Sequence, residues 1–184
     1  AVIQTPVELS LRVGGKPDAS AYGDLSTQAC LTLLPEILHP QGAEEVLVIG
    51  LGSGVSAGCA LAPQSVQRVD IVEMSPQVVE ASYLFQEHNK LKYTDTQPHT
   101  LDTPKVELVI NDGRNHLLLT SRTYDVIASE PSNPWMAGVG NLFTEEAFTL
   151  ARSRLKPGGI MCQWLHSYQL EEAHFYSISR TFAT

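Results

Sequence analysis

An apolar strand, a glycine-rich turn, a helix and a second apolar strand ending in a carboxylate follow one another from Glu45 to Glu73, EVLVIGLGSGVSAGCALAPQSVQRVDIVE. No other stretch constrains the fold as much. Val46 to Ile49 form a short continuous apolar run, as expected of a strand covered on both faces of a parallel sheet. Gly50, Gly52 and Gly54 follow at once. Glycines there let the backbone turn tightly and approach a ligand, because no Cβ stands in the way. Glu73 lies 19 residues past Gly54, at the carboxyl end of the next strand, where an acid can accept both hydroxyls of a ribose. The spacing is that of an adenosine-binding crevice, and a glycine-rich turn with no ligand is the alternative on this motif alone.

The glycine spacing narrows the ligand. A dinucleotide fingerprint is G-x-G-x-x-G, but position 55 is Val and the run reads G-x-G-x-G, which disfavours pyrophosphate. No Lys-Ser or Lys-Thr pair follows the glycines, against nucleotide hydrolysis. Ser53 has Leu51 and Val55 where a nucleophile elbow needs glycines. Two later strands repeat the strand-end acid: Val106 to Ile110 leads into Asn111-Asp112-Gly113, and Tyr124 to Ala128 into Ser129-Glu130-Pro131. The carboxyl ends of strands in an open α/β sheet border the ligand crevice, so Glu73, Asp112 and Glu130 are expected to converge. A crevice lined with carboxylates suits a cationic ligand such as a sulfonium or an amine. For any one acid, a helix cap or a solvated loop residue is the competing reading.

Composition excludes more than it assigns. The net charge of −8 with no basic run argues against nucleic acid as a partner. No apolar stretch approaches the roughly 20 residues that span a bilayer, so no membrane contact is expected within this chain. The first residue is Ala1, not Met, as in an excised or processed piece. Cys30, Cys59 and Cys162 are odd in number and far apart, and read as reduced core residues of a cytosolic, cytoplasmic protein. The six histidines show no H-x-x-x-H or Cys/His ligand spacing, so no metal site is expected.

Along the chain, Val7 to Val13 alternate as a strand and Gly14 to Asp18 read as a turn. Leu25 to Leu38 is a helix with Asp24 or Ser26 as its cap. Ser75 caps and Pro76 opens a helix reaching about Asn89. Lys90 to Pro104 is polar and irregular, a loop at the crevice rim. Asn115 to Ser121 is a short helix, and Thr144 to Leu155 a longer one stopped by Lys156-Pro157-Gly158-Gly159. Ile160 to Leu165 is the fifth strand, and Glu171 to Phe182 a helix. The whole reads as one domain, residues 1–24 an N-terminal strand and turn segment and 25–184 the α/β core.

GKPDASAYGDLSTQ, VLVIGLGSGV, VDIVEMSPQVVE, NDGRNHLL, YDVIASEPSNPWMAGVGNLFTEEAF and LKPGGIMCQWLH together resemble the spermidine synthase family, the polyamine aminopropyltransferases. The resemblance runs from about Val13 to Phe182. More narrowly, it is to a bacterial spermidine synthase-like branch, some members of which are fused to a membrane-transporter region. It implies a Rossmann-like, class I methyltransferase-type doubly wound α/β sheet, closed by a C-terminal antiparallel hairpin before which this chain stops. The edge so exposed would either leave the chain less stable than a longer form or be covered by association, as in a homodimer.

The resemblance also implies a decarboxylated S-adenosylmethionine donor, a di- or polyamine acceptor and no metal. It gives Gly50, Gly52 and Gly54 to the donor's sulfur end, Glu73 to its ribose, and Asp112 and Gly113 to its adenine, with Ser53 and Met74 among the other donor-binding residues. Glu130 stands where the family has its catalytic Asp, and Asp24 or Tyr22 would back it if the N-terminal segment folds over the crevice. Gln28, Glu130, Trp135 with Met136 beside it, and Gln163 fall to the acceptor amine, and Trp164 lines the same side. The chain departs from the family in three places. Ser53 replaces the Asp of G-G-G-D-G, Asn133 replaces a second acid after Glu130, and Ser26, Thr27 and Gln28 lie where Tyr-His-Glu is usual. An S-adenosylmethionine-dependent methyltransferase and a non-catalytic nucleoside-binding module of a larger protein are the alternatives.

Overall fold

Leu9 and Leu11 anchor an antiparallel meander at the start of the chain: β1 (Val2–Thr5), β2 (Glu8–Val13) and β3 (Lys16–Ser20). This computed structural model describes residues 1–134, 138–166 and 170–184. The meander corrects the expected turn over residues 14–18. Only Gly14 and Gly15, both at positive φ, make the turn, and pairing resumes at Lys16 opposite Val13. Leu9, Leu11, Ala19 and Ala21 then close over Phe85, which is fully buried. That contact seats the small sheet on the rest of the molecule.

Helix α1 (Leu25–Leu38) keeps its expected bounds and runs through Pro35, which forgoes one intrahelical bond. The glycine turn separates β4 (Glu45–Ile49) from the short α2 (Val55–Cys59). Strand β5 (Arg68–Glu73) leads to α3 (Pro76–Ser82), where Ser75 Oγ accepts from Val78 N as anticipated. The single helix expected over 76–89 is broken: a 3₁₀ turn at Tyr83–Phe85 puts Phe85 under the meander before α4 (Gln86–Asn89), and Lys90 ends it at φ 59°. Strand β6 (Val106–Ile110) passes into α5 (Gly113–Leu119). The helix starts two residues earlier than expected because Asp112 caps it.

Strand β7 (Tyr124–Ser129) is buried throughout. Helix α6 (Glu145–Ser153), with Thr144 as its cap, is shorter than read from sequence. Strand β8 (Leu155–Gln163) begins five residues early. Leu155 pairs with Tyr124 and Ile160 with Val126, so residues 156–159 bulge inside a strand instead of preceding one. Helix α7 (Glu172–Phe182) follows.

The sheet order is β6-β5-β4-β7-β8, all parallel. Val46 and Val48 of β4 face Ala57 of α2 and Val79 of α3, whereas Leu47 and Ile49 face Leu117 of α5 and Ala151 of α6. Both faces are therefore apolar and covered, which accounts for the unbroken hydrophobic run that a half-exposed strand would not show. Chain order reverses at β4, which has β5 on one side and β7 on the other, and open sheets bind ligands outside such a switch point. The three cysteines are free, as expected of reduced residues, but they are not core residues: Cys30 is exposed and Cys59 and Cys162 are half-buried. Among the described residues no helix is long and apolar enough to cross a membrane.

Candidate functional site

Strands β4 to β7 end at a cavity of about 700 Å³, and the meander and the start of α1 form its opposite wall. Gly50 and Gly52 floor it. Gly50 has φ +92°, and a Cβ there would lie 2.5 Å from the Glu130 carbonyl oxygen, so the close approach of β4 and β7 alone demands glycine. Gly54 and Ser53 turn away. A Cβ on Gly54 would strike Asn89, and Ser53, 0% exposed, donates its hydroxyl to Gln28 Oε1. Neither lines the cavity, contrary to expectation, because three positive-φ residues in five rotate the side chains off the strand's alternation.

The three strand-end acids do meet here. Glu73 is half-buried, and each of its oxygens takes a backbone amide, Leu51 N to Oε2 at 3.0 Å and Ser75 N to Oε1 at 2.8 Å. A carboxylate has about four lone-pair sites, so two remain for hydroxyl donors. Asp112 accepts from Asn115 N at 2.9 Å and lines the cavity with its other functions intact. It is a helix cap and a wall residue at once. Ile49, Val72, Val139 and Leu142 add apolar surface suited to a flat ring, and Gly113 fits because a Cβ would stand 2.4 Å from Ile49. Met74 borders the mouth at 65% exposure.

Glu130 occupies the other end. Its Oε2 accepts from Ser56 Oγ at 2.5 Å. Burial, with Asp24 and Asp18 nearby, pushes its carboxyl up to about 8 despite that hydrogen bond. Asp24 Oδ1 collects three donors, Ser20 N, Ser20 Oγ and Gln28 Nε2 at 2.8 to 2.9 Å. It thereby clasps the meander to α1. Gln28 completes the clasp through Ser53 and lines the cavity while 4% exposed, so it acts mainly as a strut.

Asp18 is one of the residues that the sequence does not single out. The glycine-rich stretch around it reads as a turn, yet Asp18 lies on β3, lines the cavity and accepts from Ser132 Oγ at 2.8 Å. The alternation that would have revealed β3 is hidden by Pro17 and by the bulge between Leu11 and Arg12. Asn133 Oδ1 accepts from Lys16 Nζ at 3.1 Å. Trp164 lines the cavity with His166, another residue not singled out, and donates its Nε1 to His166 Nε2 at 3.2 Å. Burial holds the His166 imidazole below its usual value.

Other expectations fall outside the cavity. Tyr22 is 61% exposed, edge-on to the His88 ring. Gln163 donates to the Trp164 carbonyl and does not reach the wall. The 90–104 loop packs Tyr93 and Leu101 on the core and contributes nothing to the cavity. Trp135 and Met136 lie outside the described residues. Five carboxylates thus line one cavity, and among its described residues there is no Lys or Arg.

The family described as the spermine/spermidine synthase domain matches residues 25–184. A polyamine aminopropyltransferase of Oceanobacillus iheyensis is 31% identical over 150 residues, covering 82% of this chain and 28% of that protein. A spermidine synthase of Dictyostelium discoideum is 30% identical over 161 residues, 85% of this chain and 53% of that protein. The chain thus spans about half the length of these curated relatives, or less. A spermidine synthase crystallised with the transition-state analogue AdoDATO superposes with a TM-score of 0.82 at 21% identity, covering 100% of this chain and 63% of that one. A methyltransferase from Agrobacterium tumefaciens described as SAM-dependent gives 0.61 at 15% identity, over 86% of this chain and 49% of that one. Both likenesses show the fold, an α/β architecture on a parallel central sheet.

Proposed function

The chain belongs to the spermine/spermidine synthase domain family, and from that premise we propose that it moves an aminopropyl group from decarboxylated S-adenosylmethionine to a di- or polyamine. The observation that carries this reading is the gathering of Asp18, Asp24, Glu73, Asp112 and Glu130 around one cavity without Lys or Arg among its described residues. Such a field favours ligands that bring positive charge, and both partners of this reaction do. Gly50 and Gly52 would lie by the donor's sulfur, Glu73 would accept its ribose hydroxyls, and Asp112 with Gly113 would meet its adenine. When bound, the donor supplies a sulfonium-activated carbon.

Glu130 carries the proton chemistry. A primary ammonium has a pKa near ~10 and must lose a proton before its nitrogen can attack. Burial, with Asp24 and Asp18 nearby, favours the protonated form of Glu130, but neighbouring cations favour its ionised form. The Glu130 carboxylate then takes the ammonium proton, and the freed nitrogen lone pair forms the N–C bond as the C–S bond breaks. The bonding pair leaves with sulfur as methylthioadenosine. Asp18 and Asp24 hold cationic groups in line with Glu130, and positioning supplies most of the remaining acceleration.

Methyl transfer is the second reading, and the withdrawal of Ser53 favours it. Position 53 can neither attract a donor ammonium nor repel a donor carboxylate. Asp18, Asp24 and Glu130 remain to disfavour the carboxylate of intact S-adenosylmethionine. Competition binding of the two donors tests the point: the decarboxylated donor should win by at least about tenfold, one like-charge contact being worth about 1.4 kcal/mol or more. Equal affinity, or preference for the intact donor, would move the assignment to methyl transfer.

A further inference from the structure

Ser56 sits between two acceptors. Its Oγ lies 2.5 Å from Glu130 Oε2 and 3.0 Å from the main-chain carbonyl oxygen of Gln28. A serine hydroxyl has one proton to donate. It can serve an ionised Glu130 or the Gln28 carbonyl, not both. With Glu130 protonated the accounting closes, because the carboxylic acid donates to Ser56 Oγ and Ser56 donates to Gln28. With Glu130 ionised, the hydroxyl must turn to the carboxylate.

The surroundings confine the change to that rotation. Ser56 is 1% exposed. Its own carbonyl accepts from Thr32 Oγ1 at 2.9 Å and Ala60 N at 3.0 Å. Glu130 N is held by the Ile49 carbonyl at 2.8 Å. The charged groups around Glu130 are Asp18 of β3 and Asp24 at the head of α1, both disfavouring its ionised form, while Lys16 of β3 and His166 after β8 stand on the Asp18 side. The Ser56 hydrogen bond opposes the two acids.

We propose that Ser56 is a positioning residue for Glu130, its hydroxyl turning from the Gln28 carbonyl to the carboxylate as Glu130 gives up its proton. In this device one Glu130 oxygen stays fixed in place in both protonation states. Arrival of a cation releases the proton to solvent, and the carboxylate that remains is already aimed. The proposal rests on the reading of Glu130 as the group that meets the amine.

Infrared titration of the chain carrying ¹³C-labelled glutamate follows the carboxyl directly and requires no turnover. Subtracting Glu130→Gln spectra isolates Glu130 from Glu36, which burial also pushes up to about 8. The wild-type midpoint should fall near 8. Ser56→Ala should raise it by roughly one pH unit, since a hydrogen bond to a charged acceptor outweighs one to its neutral form. Ser56→Thr should restore it. Should Ser56→Ala fail to fold, Ser56→Cys, a weaker donor, should still raise the midpoint. An unchanged midpoint in the Ala variant, or in the Cys variant if Ala does not fold, overturns the proposal. Absence of aminopropyl transfer in the wild type would instead count against the functional reading and leave this titration decisive for Ser56.

Discussion

Glu36 lies on the inner face of α1 at 5% exposure, and neither carboxylate oxygen has a hydrogen-bond partner among the described residues. Burial pushes it up to about 8 from 4.5. A carboxyl raised on folding contributes stability that is fully present below the unfolded value and is lost as pH rises through the folded value. The chain should therefore lose stability from about pH 4.5 to pH 8. Glu36→Met, of similar length but without charge, should be more stable at pH 8 by about 1 kcal/mol or more, some 2 to 4 °C per kcal/mol in a chain of this size. Thermal melts across pH 5 to 9 check this, and an unaltered slope in Glu36→Met would show that Glu36 is not the group responsible. At this same scale the site was half legible. Glu73, Asp112 and Glu130 could be read because a strand's end is marked by where its apolar run stops. Asp18, Ser56 and His166 could not, because no local pattern says which loop or helix face will fold against a distant strand. Ser53 was misread for a related reason: its direction is set by the φ angles of the glycines around it.

Phe85 is the hinge between element and function. The meander carries Asp18 to the cavity and rests on this ring, fully buried beneath Leu9, Leu11 and Ala19. Phe85→Ala should cost about 3 to 5 kcal/mol, as for a large aromatic removed from a packed cluster. Hydrogen exchange should locate the loss. Amides of residues 8–20 should exchange much faster, while those of β4 and β5 should change only with global stability. Equal protection of the meander in the variant would mean that the Asp24–Gln28–Ser53 clasp, not Phe85, holds it. The 3₁₀ turn that presents Phe85 was invisible in sequence, since Pro76 to Asn89 shows no residue that must break a helix. The bulge in β8 was hidden for the opposite reason: Pro157 and two glycines look like an end to structure, yet the β7 edge offers pairing on both sides of them. Continuous apolar strands and the bounds of α1 were legible because each depends on burial of one short segment.

On the scale of the whole molecule, the net charge of −8 is not spread evenly in its consequences. At the end of the sheet remote from the cavity, carboxylates are matched by bases: Asp70 by Arg68 at 2.7 Å and Asp125 by Lys156 at 2.8 Å. Asp125 stays low although burial pushes it up, because Lys156 and the Glu45 and Glu44 amides more than offset burial. At the cavity the acids converge without Lys or Arg among the described lining residues. The fold neutralises one end and leaves the other to attract cations, and that asymmetry is the physical core of the functional reading. Product analysis tests it most directly. The chain is incubated with decarboxylated S-adenosylmethionine and putrescine at pH 8, and in parallel with intact S-adenosylmethionine, and the products are weighed by mass spectrometry. Methylthioadenosine and an amine heavier by one aminopropyl group are expected in the first reaction, with the rate cut at least about a hundredfold in Glu130→Gln, as for loss of a general base. S-adenosylhomocysteine and a methylated amine in the second reaction, with no methylthioadenosine in the first, would contradict that reading.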